Sequence, residues 1–144
     1  MFLNSYHHSF DEKFRLTIPA RFRDIPEGAY LVQGLDPNLL VLPPAVFDNL
    51  YNHLMTMNYA DQNVRILRQR ILSSAEKVTP DSNGRILIPQ NLRELAGLKD
   101  KVVFVGAGNH FEIWSEELWQ KQQELLNDSQ TNDKRFAAIT LTLG

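Results

Sequence analysis

Apolar and polar residues follow one pattern twice along this chain. Residues 11–19 and residues 81–89 each start with Asp, have Arg four positions later, and continue as apolar, any residue, apolar, Pro. The two copies stay in phase at an offset of 70 residues. The matched pairs are Asp11/Asp81, Arg15/Arg85, Leu16/Ile86, Ile18/Ile88, Pro19/Pro89, Phe22/Leu92 and Arg23/Arg93. So many matched positions predict one supersecondary unit used twice, as a pseudo-twofold tandem repeat.

Each copy predicts a polar loop, a short strand and the start of a helix. Alternation in residues 16–18 and 86–88 is typical of a strand, and the Pro that follows suits a first helical turn. Asn83-Gly84 is typical of a type I′ turn, in which both residues have positive φ. We therefore expect each Arg near a hairpin tip, with residues 4–10 pairing with residues 15–18 in the first copy.

The remaining pattern predicts an α+β protein in which strands and helices follow the same order in each half. Strands are expected at residues 29–33, 39–42, 101–105 and 110–114. Helices are expected after Pro43, over residues 62–73 with Asp61 as N-cap, after Pro89, and after Ser115 as N-cap. We expect a first repeat over 1–60, a linking helix over 61–75, a second repeat over 76–126 and a C-terminal tail over 127–144. Polar residues 127–132 indicate a mobile tail, and residues 136–141 fit either a strand or a docking peptide.

Composition places the chain among ordinary globular proteins. It has 144 residues, is 43% hydrophobic, and contains no Cys, which excludes disulfides, thiolate nucleophiles and Cys-based zinc sites. The start lacks the pattern of a signal peptide, and no apolar run approaches the roughly 20 residues of a membrane span. We expect a soluble, cytoplasmic protein without a membrane partner.

Charge gives a mixed indication about nucleic acid. The net charge of −2 counts against DNA binding, for which a basic domain is usual. Basic residues nevertheless concentrate in residues 11–23 and 65–70, and phosphate attraction is local at physiological salt. A concentrated basic face could therefore bind DNA, and an oligomer would multiply that face.

Arg15 and Arg85, with Lys13 beside the first, are the candidate DNA contacts. Arg bonds phosphate or guanine bidentately, and Lys supplies a point charge. The alternative is a structural Asp–Arg pair in each loop. Asp11 and Asp81, with Gly84, are expected to order the turns, because a free carboxylate would repel phosphate.

Arg21 and Arg23 either extend the basic face or lie exposed on a helix.

Other chemistries find little support in the sequence. His7 and His8 would point to opposite faces of a strand, and His53 and His110 lack nearby ligands, so no metal is expected. Gly106-Ala107-Gly108 falls short of a dinucleotide fingerprint, and no Ser lies in a nucleophile elbow. We expect no cofactor, no small-molecule substrate and no enzymatic activity. A protein-interaction module remains the main alternative to a DNA-binding regulator.

The doubled motif, with the opening residues 4–8 and residues 16–23, resembles the MraZ family of bacterial transcriptional regulators over nearly the whole chain. The resemblance implies an AbrB-like swapped-hairpin β-barrel with peripheral helices and a ring-shaped homo-oligomer. It also implies nucleoid-associated regulation, as a repressor, through direct repeats of promoter boxes ahead of the division and cell-wall gene cluster. The family loop usually reads Asp-x-Lys-Gly-Arg, whereas position 14 is Phe and position 83 is Asn. Phe14 lacks the freedom of Gly at positive φ, which leaves the first loop's conformation open.

Overall fold

A computed structural model describes residues 1–139 as a mixed α+β fold with eight strands and five α-helices. The strands are β1 Ser5–Ser9, β2 Arg15–Thr17, β3 Ala29–Gln33, β4 Leu39–Leu42, β5 Glu76–Val78, β6 Arg85–Leu87, β7 Lys101–Gly106 and β8 Phe111–Ser115. The helices are α1 Pro44–Thr56, α2 Gln62–Leu72, α3 Gln90–Leu95, α4 Glu116–Leu126 and α5 Ser129–Ala137. A short 3-10 turn, Ala20–Phe22, stands where α3 stands in the second repeat.

The sheets are built by exchange between the two repeats. Six antiparallel strands follow the order β1-β7-β8-β4-β3-β5, and β2 pairs with β6 in a separate two-stranded ribbon. If the repeats are exchanged, the order of the large sheet reads the same in reverse. The first strand of each repeat thus pairs with the third strand of the other. The pseudo-twofold relation read from the sequence is present in the sheet topology.

One expectation about local pairing is wrong. Residues 4–10 do not pair with residues 15–18: β1 pairs with β7, with Tyr6 opposite Phe104, and β2 pairs with β6, with Leu16 opposite Ile86. Alternation identifies the buried face of a strand, but it carries no information about which strand lies beside it. Strand β5 was not expected because two of its three residues are exposed and polar.

The apolar positions of the repeated motif form the centre of the core. Leu16, Ile18, Phe22, Ile86, Ile88 and Leu92 are all at most 1% exposed. Phe22 also stacks on Phe111 of the large sheet, with ring centroids 4.9 Å apart. Each such side chain contributes about 1.5–3 kcal/mol when it is buried. Both repeats therefore contribute to the single core cluster that joins the ribbon β2–β6 to the large sheet.

Helices cover the large sheet, and their caps agree with the sequence. Phe47 of α1 stacks on Tyr30 of β3, with ring centroids 3.8 Å apart. The Asp61 carboxylate accepts the Asn63 N–H at 2.8 Å at the start of α2. The Ser115 hydroxyl oxygen accepts the Leu118 N–H at 3.0 Å at the start of α4. Both expected N-caps are confirmed.

The end of the described chain differs from the expectation of a mobile polar tail. Residues Ser129–Ala137 form α5, and Arg135 Nη1 donates to the Leu125 carbonyl at 2.7 Å, which ties α5 to the end of α4. For the segment 136–141 a strand and a docking peptide were both left open. Phe136 and Ala137 are helical, which excludes the strand for these two residues, and residues 140–144 lie outside the described residues.

The described part of the chain bears on two further expectations. Residues 1–139 form an open sheet and a ribbon, and no closed barrel is seen among them. Helices of the length and apolarity that a bilayer crossing demands do not occur within residues 1–139.

Exchange of strands between repeats predicts that neither half folds alone. A fragment of residues 1–69 would lack the partners of β1 and β2 and one of the two partners of β4, so we expect no cooperative thermal transition by circular dichroism. Mixing it with residues 70–144 should restore the sheet signal. A cooperative melt of residues 1–69 alone, at a concentration where it is monomeric, would contradict the interlocked topology.

Candidate nucleic-acid interface

The first turn is organised by the carboxylate of Asp11. Its Oδ1 accepts the N–H groups of Lys13 and Arg15, each at 2.9 Å, and its Oδ2 accepts Arg15 Nε at 2.8 Å. The backbone closes the same loop, since the Phe14 N–H donates to the Asp11 carbonyl at 3.1 Å. One side chain thus satisfies two turn amides and orients the guanidinium.

The second turn repeats this arrangement at the offset of 70 residues. Asp81 Oδ1 accepts the N–H groups of Asn83 and Arg85, each at 2.9 Å, and its Oδ2 accepts Arg85 Nε at 2.8 Å. The Gly84 N–H donates to the Asp81 carbonyl at 2.9 Å. These contacts fit the turn-ordering role expected for the two Asp residues.

The conformation of the turns differs from the expected type I′. Gly84 has φ +74°, while Asn83 is absent from the described residues with positive φ. Each loop is instead a β-turn followed by one left-handed residue. Phe14 occupies that position with φ +59°, so the first loop adopts the shape of the second despite an expected cost of about 1–2 kcal/mol.

Pairing of β2 with β6 puts the arginines that follow the two turns on one face of the ribbon. Arg15 lies opposite Leu87, and Arg85 lies opposite Thr17. Because side chains alternate along a strand, these four residues share one face of the ribbon, and Leu16 and Ile86 share the buried face. Diagonal neighbours of this kind have Cα atoms about 7–8 Å apart. The two motif arginines are therefore neighbours on an outward face of the ribbon. The sequence placed each Arg near its own hairpin tip and did not predict that the two are neighbours.

The guanidinium groups on this ribbon face retain donors. The side chains of Arg15 and Arg85 are 28% and 29% exposed. Within residues 1–139, hydrogen bonds of these side chains involve Nε alone, so the terminal nitrogens keep their donors there. Such a pair of forks can bind phosphate oxygens or base edges. An Asp–Arg pair and a DNA contact, which were alternatives on the sequence alone, are compatible with each other in this geometry.

The other predicted basic residues have different environments. Lys13 is exposed in the first turn, and Arg21 is exposed on the 3-10 turn. Arg23 is also exposed, but its Nε donates to the Ile18 carbonyl at 2.9 Å. Its repeat counterpart Arg93, which the sequence analysis did not select, donates from Nη1 to the Ile88 carbonyl at 2.7 Å. The repeat offset pairs Arg93 with Arg23, and this pairing was the signal for including Arg93 among the candidates.

The basic segment 65–70 lies on α2 and has local bonding partners. Arg68 donates to the Leu54 carbonyl, Arg65 to the carbonyls of Tyr59 and Ala60, and Arg70 to the Gly34 carbonyl. These arginines tie α2 to the end of α1 and to the β3–β4 turn. Their guanidinium groups are therefore partly engaged by the fold.

Grouped metal ligands do not occur within residues 1–139, where no three His, Asp or Glu side chains come together as a cation site would require.

The fold and this surface define a class: a tandem-repeat α+β protein that presents paired arginines on a two-stranded ribbon. A family model described as "MraZ protein, putative antitoxin-like" matches residues 1–69 and 71–140. The chain belongs to the MraZ family.

Curated relatives resemble the chain over most of its length. The transcriptional regulator MraZ of Roseiflexus sp. (strain RS-1) is 41% identical over 138 residues, covering 95% of this chain and 94% of the relative. The protein of the same name from Roseiflexus castenholzii has the same identity and coverage. That of Herpetosiphon aurantiacus is 40% identical over 121 residues, covering 83% and 85%.

The two turn carboxylates predict a dependence of stability on acid. The backbone N–H of Arg15 chiefly lowers the pKa of Asp11, and the N–H of Arg85 chiefly lowers the pKa of Asp81. A pKa that is lower in the folded state stabilises the protein above the unfolded value near 3.9, and this stabilisation is lost as pH falls through the folded value.

We therefore expect the Asp11→Asn/Asp81→Asn variant to be less stable than the parent at pH 7, with the difference shrinking as pH falls below about 4. Urea unfolding at a series of pH values measures this difference. Asp48→Asn removes an exposed carboxylate on α1 and serves as the matched control. A stability difference that stays constant down to pH 2 would contradict the role of these carboxylates.

Proposed function

We propose that this chain is a sequence-specific DNA-binding transcriptional repressor whose DNA contacts are Arg15, Arg85 and Lys13, with Arg21 and Arg23 at the margin. The observation that carries the proposal is the position of two oriented guanidinium groups on the outer face of one ribbon. Two-stranded ribbons fit the major groove of B-DNA, where Arg can read guanine bidentately. The names of the curated relatives support a role in transcription.

The Asp residues belong to this proposed contact as supports. The carboxylate oxygens of Asp11 and Asp81 accept hydrogen bonds from turn amides and from Arg Nε, and these bonds leave the terminal guanidinium nitrogens available to a ligand. Each Arg thereby loses conformational freedom before DNA arrives, and preorganisation of this kind lowers the cost of binding. Gly84 supports the second turn by adopting positive φ without strain.

The proposed assembly extends beyond one subunit. We propose that the exchanged strands form the core of an AbrB-like swapped-hairpin barrel, within the domain boundaries expected from the sequence. Several copies would then close into a ring that acts at the nucleoid. Its targets would be direct repeats of a promoter box ahead of the division and cell-wall gene cluster. Apolar side chains exposed on α1 and α4, such as Tyr51 and Leu125, are available for contacts between copies.

A protein-interaction module is the second candidate. Leu87 is 59% exposed between the two arginines, and the chain carries a net charge of −2, both of which favour a protein partner over DNA. A protein-interaction module would bind acidic protein surfaces without any dependence on DNA sequence.

Replacing Arg15 or Arg85 by Ala distinguishes two roles for these residues: a direct contact with DNA, and an Asp–Arg pair that only stabilises the turn. Loss of a base-reading Arg should weaken binding by about 1–3 kcal/mol, roughly 5- to 150-fold, whereas a partly exposed ion pair contributes about 0–1 kcal/mol to stability. Fluorescence anisotropy with DNA from upstream of the chain's own gene measures affinity, and urea unfolding measures stability.

Lys121→Ala, on α4, removes the same charge and is the matched control. A large loss of stability with unchanged affinity for DNA would overturn the contact role. Equal weakening by Lys121→Ala would show that net charge, rather than the ribbon, governs binding.

The spacing of boxes tests the proposed ring. Once one ribbon is bound, a neighbouring subunit meets the next box at high effective concentration, so tandem boxes should bind about 10²–10⁴-fold tighter than one box. The gain requires boxes on the same side of the DNA, roughly 10 base pairs apart.

Inserting half a helical turn between the boxes should abolish the gain, and titrations across a salt series should show a steeper salt dependence for tandem sites. Equal affinity for single, tandem and shifted sites would rule out cooperative reading of repeated boxes.

A further inference from the structure

The two turns differ at the residue that adopts positive φ. This residue is Phe14 in the first turn, with φ +59°, and Gly84 in the second, with φ +74°. Gly reaches this region at no steric cost, whereas a bulky side chain rarely adopts it. The first turn therefore needs an additional interaction to hold a shape that the second turn adopts freely.

An arginine from the opposite repeat supplies this interaction. The Arg93 guanidinium carbon lies 3.9 Å from the centroid of the Phe14 ring. Arg93 Nη1 also donates to the Ile88 carbonyl at 2.7 Å, so the guanidinium is anchored at the end of β6. A guanidinium over the face of a ring is attracted by the ring quadrupole. Phe10 also contacts the Phe14 ring in an edge-type arrangement, with ring centroids 6.4 Å apart.

The second turn provides an internal comparison. Arg23 is the repeat counterpart of Arg93, and its Nε donates to the Ile18 carbonyl at 2.9 Å. Its side chain lies against Gly84, where an added Cβ would come within 2.8 Å of Arg23 Nε. Each turn is thus contacted by an arginine of the other repeat. In the first turn Arg93 stacks on the Phe14 ring. In the second turn Arg23 packs closely against the backbone of Gly84.

The backbone of Phe14 connects this stack to the proposed DNA contacts. Lys13 and Arg15 flank Phe14 directly in the chain. The Phe14 carbonyl accepts the Ile88 N–H at 3.3 Å, and its N–H donates to Asp11, the residue that orients Arg15. A change of φ at residue 14 would therefore move both cations and break the contact with β6.

We propose that Arg93 is a positioning residue for the first turn: by stacking on Phe14 from the opposite repeat, it holds Lys13 and Arg15 in their DNA-facing arrangement. That the ligand is DNA rests on the proposed function, whereas the dependence of the turn conformation on Arg93 does not. Arg93 then offsets the steric cost of having Phe14 at the position that Gly84 occupies in the second turn. The two turns have the same shape but are stabilised by different contacts.

Amide hydrogen exchange in the full-length free protein tests the positioning step. Arg93→Lys keeps the charge but removes the planar group, and Phe14→Leu keeps a side chain at positive φ but removes the ring. We expect either variant to speed exchange at residues 13–15 by about two- to fivefold. Arg23→Lys is the matched control, and it should leave exchange at residues 13–15 unchanged.

A double variant tests whether the ring mediates the effect. Phe14→Gly gives the first turn the residue type of the second. In the Phe14→Gly protein, adding Arg93→Lys should change amide exchange at residues 13–15 only slightly. The size of this change should not exceed the change in exchange at residues 83–85 that Arg23→Lys causes in the parent protein. A full effect of Arg93→Lys without the ring would overturn the proposal.

Unchanged exchange in both Arg93→Lys and Phe14→Leu would also overturn it. If Arg93→Lys unfolds the protein through loss of the bond to Ile88, Phe14→Leu decides alone, because Arg93 and that bond remain.

Affinity for DNA from upstream of the chain's own gene gives the second readout. Arg93→Lys and Phe14→Leu should weaken binding about two- to fivefold, in step with faster exchange. Suppose that Arg15→Ala loses DNA binding, but that Arg93→Lys and Phe14→Leu exchange faster with unchanged affinity for DNA. This result would overturn the positioning role of Arg93 at the DNA contact. Binding insensitive to both Arg15→Ala and Arg85→Ala would refute the proposed function instead, and exchange would still decide the link between Arg93 and Phe14.

Discussion

The antiparallel pairing of β2 with β6 is the constraint on which the rest of this structure depends. It places Leu16 and Ile86 side by side in the core, so the two repeats share one apolar centre. The same pairing directs Arg15 and Arg85 to the opposite, outward face. Core formation and presentation of the basic surface are thus two consequences of one ladder.

Exchange between repeats also explains how the turns keep their shape. An isolated five-residue turn would be mobile, but each turn here is bonded to the strand of the other repeat: Ile18 N–H to the Gly84 carbonyl, and Ile88 N–H to the Phe14 carbonyl. Arg23 and Arg93 add a side chain from the opposite repeat to each turn. Rigidity at the proposed interface therefore arises from tertiary contacts, in addition to the local Asp–Arg bonds.

Much of the fold and part of the site could be read from local sequence. Strands β3 and β4, the N-caps Asp61 and Ser115, and the Asp-to-Arg turns depend on alternation and on side chains that bond within a few residues. Strand β5 and helix α5 could not be read in this way. Strand β5 lacks the apolar alternation that predicts a strand, because two of its three residues are exposed and polar. Helix α5 is polar, has no buried residues, and is attached to α4 by Arg135.

The sequence by itself determined the repeat, the residues that face the core and the identity of the turn carboxylates, because each of these depends on spacing along the chain. Tertiary structure alone decided that β1 pairs with β7, that both arginines share one ribbon face, and that Phe14 adopts positive φ beneath Arg93. These features join residues about 70 or more positions apart. Alternation fixes which face of a strand is buried, but the partner across the ladder is selected by packing of the whole core.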